Sequence, residues 1–264
     1  MSKVTIGSLQ KMKQAGEKIT ALTSYDASFA RLFHEQGIDI QLIGDSLGNV
    51  LHGADSTLSV TVPEIAYHTR AVRRGAPEAF VMADMPFMSY PDTATACDSA
   101  AQLMRAGANM VKLEGGDWLA DTVRHLTRQG VPVCAHLGLL PQTVHVMGGS
   151  KVQGREPQQA EELRRHAQLL EEAGAQLLVV ECIPADLGRQ LSEQLHIPVI
   201  GIGAGPMTDG QILVMHDMLG LASDYLPKFV KNFMPGQDSL AGAVAAYRTA
   251  VRDASFPGPE HTFK

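Results

Sequence analysis

Six ionisable side chains stand where apolar runs of this chain end, and together they fit metal-assisted proton transfer. Asp45 follows IQLIG, Asp84 closes AFVMAD, Lys112 and Glu114 close MVKLE, His136 closes VPVCAH and Glu181 closes LLVVE. Runs of this kind read as buried strands of a parallel sheet, with the polar group emerging at the carboxyl end. Any one of these residues is equally read as a cap or a satisfied ion pair. As a set at successive strand ends they read as an active site. Asp45, Asp84 and Glu114 come from neighbouring strands, and crowded carboxylates repel unless a cation neutralises them. All-oxygen ligands suit Mg²⁺, with waters and substrate oxygens completing the octahedron. Lys112 shares a strand face with Glu114 and adds positive charge, so an anionic chelating substrate such as a 2-oxo acid would fit. Glu181 ends a nearly all-apolar strand, where desolvation would raise its pKa and suit it to general-base work. His136 either orients a substrate or hydrogen-bonds within the top layer. Gly44, just before Asp45, would let another group approach the backbone.

The rest of the chain must position these groups. Its 264 residues are 45% hydrophobic and 19% charged, an ordinary globular composition. A single (β/α)₈ barrel takes roughly 250 residues. The net charge is -6 and the densest basic run, RAVRRG at Arg70–Gly75, falls on a predicted helix as a solvated face, so nucleic acid is not an expected partner. Cys97, Cys134 and Cys182 are too dispersed for a disulfide framework or zinc motif, and the last two read as buried thiols. The first residues lack the apolar core of a signal peptide and no apolar run reaches membrane-spanning length, so a cytoplasmic protein is expected.

Strands are expected in KITALTSYD, Ile38–Gly44, Ala79–Asp84, Asn109–Glu114, Val131–His136, Gln176–Glu181, Pro198–Gly203 and ILVMHDML. The connection into the last is too short for a crossover helix. Ser8–Gly16, with Ser8 as N-cap, predicts a helix covering the amino-terminal mouth. Asp26 caps Ala27–Gln36, and Thr61-x-x-Glu64 forms a capping box for the next helix. Thr93–Arg105 carries Ala94, Cys97, Ala101 and Met104 at helical spacing, and Trp118–Gln129 starts on a tryptophan expected in the core or docked on a helix. The helix after Pro157 buries Ala160, Leu163, Ala167 and Leu170, and Ser239–Val251 closes the chain. Two aperiodic loops are expected near the site: NVLHGADSTLSV, and residues 137–155, the lid candidate. GIGAG opens no uninterrupted helix, because Pro206 and Gly210 follow, so it is not read as a dinucleotide fingerprint. Repeated β-α order over residues 1–264 predicts one (β/α)₈ TIM barrel domain with an N-terminal capping helix.

The chain also resembles the ketopantoate hydroxymethyltransferases, through TSYD, LIGDSLG, TLSVT, YHTRAVRRGA, ADMPF, RAGANMVKLEGG, VCAHLGLLPQ, KVQGR, ECIP, IGIGAG, DGQILVMHDMLG and PKFVKNF. It departs from the family pattern in two loops, at GGSKV and PMTDG. The resemblance implies a barrel of the phosphoenolpyruvate/pyruvate type assembled as a decamer. It implies transfer of a one-carbon unit from 5,10-methylenetetrahydrofolate to 3-methyl-2-oxobutanoate, giving 2-dehydropantoate. It further implies that Asp45 and Asp84 bind one Mg²⁺ per subunit with Glu114 in or beside that shell. Asp45, Ser46, Asp84 and Lys112 would then contact substrate, and Glu181 would accept the proton. Two other readings stay open from the residues alone: a Mg²⁺-dependent lyase or mutase on a related barrel, and a non-catalytic metabolite-binding barrel.

Overall fold

The structure is a computed structural model that describes residues 3–149, 151–221 and 226–264. Eight parallel strands, β1 (Ile19–Thr23), β2 (Ile40–Ile43), β3 (Phe80–Asp84), β4 (Met110–Glu114), β5 (Val133–Gly138), β6 (Leu177–Glu181), β7 (Val199–Ile202) and β8 (Gly210–Leu213), close in chain order. β8 pairs back onto β1, with Ala21 opposite Ile212. The helices are α1 (Ile6–Gln14), α2 (Ala27–Glu35), the short α3 (Leu47–Val50), α4 (Val62–Gly75), α5 (Thr93–Ala106) and α6 (Ala120–Arg128). After them come the short α7 (Val144–Met147), α8 (Pro157–Glu172), α9 (Ala185–Gln194), the short α10 (Met215–Met218) and α11 (Leu240–Arg252). Among the described residues no helix is long and apolar enough to cross a membrane.

Alternation along each strand builds two cores. Leu22, Ile43, Val81, Val111, Leu113, Leu178 and Val180 face outward and meet the helices in the larger one. Ile19, Ala21, Ile40, Leu42, Phe80, Met82, Met110, Cys134, Val179 and Ile212 face inward and fill the barrel. Leu9 of α1 joins that interior cluster from below, with Ile6 and Met12 packed beside it, so α1 caps the amino-terminal mouth as expected. Its cap is Thr5, however. The Thr5 hydroxyl accepts the Ser8 N–H and Ser8 answers to the Thr5 N–H, which places Ser8 inside the helix. The expected caps at Asp26 and Thr61/Glu64 are present.

Three local expectations change. β8 starts at Gly210 and stops at Leu213, because the Met215 N–H turns to the Thr23 hydroxyl and MHDM coils into α10. The β7–β8 link, residues 203–209, has no helix. Gly203 and Gly205 hold left-handed φ values of 64° and 79°, and Asp209 is tied to the Val199 N–H and to Lys13 of α1. The α5 stripe is Ala96, Ser99, Ala100 and Leu103 rather than Ala94, Cys97, Ala101 and Met104. Small apolar residues on adjacent faces made the two stripes alike in sequence. Trp118 is 65% exposed and stands edge-on to His166 of α8, so of its two readings it takes helix docking and not the core. Cys134 and Cys182 are buried free thiols.

Candidate active site

The charged residues are the next inward positions above the apolar filling. Phe80 and Met82 lead to Asp84, Met110 leads to Lys112 and Glu114, Cys134 leads to His136, and Leu177 and Val179 lead to Glu181. Register aligns Asp84 with Lys112 and Glu114 with His136 across neighbouring strands. On β2 the inward position at this height is Gly44. A Cβ there would lie 2.7 Å from Ser46 Oγ and 3.6 Å from Asp84 Oδ2, so glycine makes the room that the next residues use. Asp45 and Ser46 then turn over the cavity at the start of α3.

The structure brings all the expected residues together. Asp45, Ser46, Asp84, Lys112, Glu114, His136 and Glu181 line one cavity, with Leu42, Val179, Ile202 and Ile212 beneath and beside them. Asp84 Oδ2 accepts the Asp45 N–H at 2.9 Å, and its Oδ1 lies 2.8 Å from Lys112 Nζ. Lys112 Nζ also sits 3.5 Å from Glu114 Oε1 and 3.3 Å from His136 Nδ1. His136 spans two carboxylates, with Nδ1 3.3 Å from Glu114 Oε1 and Nε2 3.2 Å from Glu181 Oε2. Glu181 is therefore not in a purely apolar surround: a histidine stands beside it.

Burial and charge set the protonation states. Burial, then the Asp84 and Glu114 charges, push Asp45 well above the usual carboxylate range. Burial alone would raise Glu114, but Lys112 and His136 hold it down at about 2. Burial and Lys112 would lower His136, yet hydrogen bonds to Glu114 and Glu181 lift it to about 9, so it is a cation at neutral pH. Burial would likewise lower Lys112, and Asp84, Glu114 and Asp45 outweigh it, keeping the ammonium charged.

Three further residues enter the site. Gln142 is buried, from the loop after β5. Its Nε2 donates to Asp45 Oδ2 at 2.8 Å and to the Met85 carbonyl at 3.0 Å, while its N–H donates to Glu114 Oε2 at 3.1 Å. Tyr90 donates its hydroxyl to Gln142 Oε1. Tyr25 OH shares a hydrogen bond of 2.8 Å with Ser46 Oγ, which fixes that hydroxyl. Gln142 lay within the lid candidate, but a lone amide in an aperiodic loop carries no spacing signal. The middle of that loop turns outward, with Val146 91% exposed, and its far end returns to the barrel, where the Gln153 N–H donates to the Cys182 carbonyl. The NVLHGADSTLSV loop does not line the cavity and packs against α3, where Ser56 and Val60 close on Gly48.

The donors present fit a hard divalent cation. Asp84 Oδ1 is buried and faces only the Lys112 ammonium, which leaves a further lone pair on it for a cation. Four carboxylates, Asp45, Asp84, Glu114 and Glu181, face two cations, Lys112 and His136, so the ionised cluster has a deficit of two positive charges. Among the described residues no three His, Cys, Asp or Glu side chains converge as a ready-made ligand cluster. Mg²⁺ characteristically needs only one or two carboxylates and keeps its waters. Asp45 and Asp84 suit that demand, and Glu114 is engaged beside them by Lys112, His136 and Gln142.

Among solved structures, phosphonopyruvate hydrolase in complex with oxalate and Mg²⁺ superposes with a TM-score of 0.64 at 13% identity, covering 92% of this chain and 94% of that one. 2,3-Dimethylmalate lyase, described as a PEP mutase/isocitrate lyase superfamily member, superposes with a TM-score of 0.60 at 17% identity over 93% and 95% of the two chains. Such identities carry the fold alone. The 3-methyl-2-oxobutanoate hydroxymethyltransferase of Alteromonas mediterranea is 61% identical over 264 residues, all of both chains. That of Idiomarina loihiensis is 61% identical over 263 residues, 100% of this chain and 99% of its own. The family model described as ketopantoate hydroxymethyltransferase matches residues 3–259. The chain belongs to the ketopantoate hydroxymethyltransferase family.

Proposed function

We propose that this enzyme transfers the one-carbon unit of 5,10-methylenetetrahydrofolate to 3-methyl-2-oxobutanoate, giving 2-dehydropantoate. The observation that carries the reading is Glu181, placed with His136 in the same cavity as a carboxylate pair short of positive charge. Mg²⁺, held by Asp45 and Asp84 with Glu114 beside them, would supply Lewis-acid polarisation of the 2-oxo group. Lys112 receives the substrate carboxylate and offsets negative charge that develops on the ketone oxygen. Ser46, fixed by Tyr25, contacts the same end of the substrate. Leu42, Val179, Ile202 and Ile212 offer the branched methyl groups an apolar wall. Glu181 takes the proton from C3, with His136 orienting its carboxylate. The electron pair left on C3 attacks the methylene carbon as its bond to one folate nitrogen breaks. Water then replaces the second nitrogen, leaving the hydroxymethyl group and releasing tetrahydrofolate, whose two nitrogens take up the C3 proton and one proton of the water. The family resemblance further supports a homodecamer.

A turnover assay tests the reading. With Mg²⁺, both substrates should yield 2-dehydropantoate by mass spectrometry, and omission of either the folate or the metal should stop it. Carbon–carbon cleavage of a 2-oxo or malate-type acid without folate would instead place the enzyme with the lyases.

A further inference from the structure

The catalytic cavity has a second wall that proton transfer does not use. Val214 at the start of α10, Asp217 within it and Phe229 from the segment after it line the same space as Asp45, Asp84 and Lys112. Asp217 is partly buried, and burial is the sole influence on its carboxyl, which rises to about 6. Among the described residues no donor stands against it. A desolvated carboxylate without a partner costs stability, and in a functional cavity it marks a place where a ligand donor belongs. Phe229 stands at the same rim, half-buried against the end of β7. A Cβ at Gly203 would lie 3.1 Å from both Phe229 Cβ and Cδ1, so the glycine lets the ring seat there.

An aromatic face beside an unpaired acceptor selects for a flat ring with N–H donors along one edge. The 2-oxo acid has no such donor, and its carboxylate would be repelled by Asp217. The 2-amino-4-oxo edge of a pterin has two, the 2-amino group and N3–H, spaced to meet both oxygens of one carboxylate. We propose that Asp217 and Phe229 form the subsite for the pterin ring of the one-carbon donor, with Asp217 accepting from the 2-amino and N3 edge and Phe229 packing on the ring. The inference rests on the folate reading above and adds the residues that would recognise the folate. Lys112 and the two aspartates then sort the anionic substrate to one side of the cavity, and Asp217 sorts the donor-edged ring to the other.

The test is calorimetric titration of tetrahydrofolate, which lacks the methylene group and does not react, with Mg²⁺ and 3-methyl-2-oxobutanoate present. Asp217→Asn should bind it ~10–100-fold more weakly, the loss expected for charge-assisted hydrogen bonds. Phe229→Leu should weaken it by roughly 2–10-fold. Unaltered affinity of each variant for 3-methyl-2-oxobutanoate reports an intact barrel. An analogue with methyl in place of the 2-amino group, which keeps only N3–H, should bind the unsubstituted protein weakly and lose less on Asp217→Asn than tetrahydrofolate does. The proposal is overturned if Asp217→Asn binds tetrahydrofolate like the unsubstituted protein, or if the unsubstituted protein binds analogue and parent equally. The second outcome needs no variant to fold. Failure of the unsubstituted protein to bind tetrahydrofolate at all would instead overturn the folate reading, and this proposal with it.

Discussion

Along β3 the inward side chains run Phe80, Met82, Asp84, and along β4 they run Met110, Lys112, Glu114. One pair of strands thus passes from a hydrocarbon interior to a buried charge cluster within two residues. The lower half is held by packing: Met82 and Met110 are fully enclosed, and Leu9 of α1 packs into the same cluster from below. The upper half is as buried, but its members constrain one another by charge. Burial and then the Asp84 and Glu114 charges strain Asp45, while Lys112 is held charged by Asp84, Glu114 and Asp45, and His136 by Glu114 and Glu181. Burial alone therefore does not define the site. What distinguishes it is that its groups are imperfectly balanced, which is the condition for taking up a cation and an anionic substrate.

Removing a charge above should differ in kind from removing volume below. Lys112→Met leaves Asp84 and Glu114 without their ammonium and should cost ~3–5 kcal/mol in the metal-free protein. Met82→Ala, two residues below Asp84, should cost ~2–5 kcal/mol through its cavity. Denaturation across pH separates them: the Lys112→Met loss should shrink as acid neutralises the carboxylates, and the Met82→Ala loss should stay flat. A flat profile for both would erase the distinction.

The His136 link sharpens the contrast at the alkaline end. Its folded pKa of about 9 exceeds the ordinary 6.5, so its stabilisation is complete below 6.5 and is lost as pH rises through 9. That loss should reach up to ~3 kcal/mol in metal-free protein and vanish in His136→Gln. Equal alkaline sensitivity in both proteins would assign the loss elsewhere.

The smallest expected effect has the opposite sign. Asp45 is raised above the usual carboxylate range, so ionising it costs the fold at neutral pH, and that cost disappears once pH falls below the range. Asp45→Asn should then gain ~1 kcal/mol at pH 7 without metal, a rise of roughly 2–4 °C in Tm, while losing Mg²⁺ binding. Calorimetric scans at pH 7 and pH 4 check it. A destabilised Asn variant would mean that Asp45 contributes to the fold rather than straining it.

The strand-end charges were legible in the sequence because period-two alternation places residues on one face without any knowledge of the loops. Lys112 and Glu114, two apart on β4, are the plainest case. Gln142 and Tyr90 were not legible, since both reach the site from irregular segments where spacing implies nothing about direction. The β8 boundary failed for a different reason. VMHDML stays apolar past Leu213, and only the Thr23 hydroxyl, distant in sequence, ends the strand there. Hydrophobicity left Trp118 between the core and helix docking, and the choice is made by Gly115 and Gly116, which pack their backbones under the indole and leave it at the surface against α8.

If Glu181 removes the C3 proton, exchange in D₂O reads that step without the folate. With Mg²⁺ and no one-carbon donor, proton NMR should show loss of the C3–H signal of 3-methyl-2-oxobutanoate. Glu181→Gln, which keeps the shape and removes the base, should slow that exchange by ~10²–10⁴-fold with the acid still bound. Exchange in Glu181→Gln as fast as in the unsubstituted protein would contradict the account and move the base to another residue of the cavity.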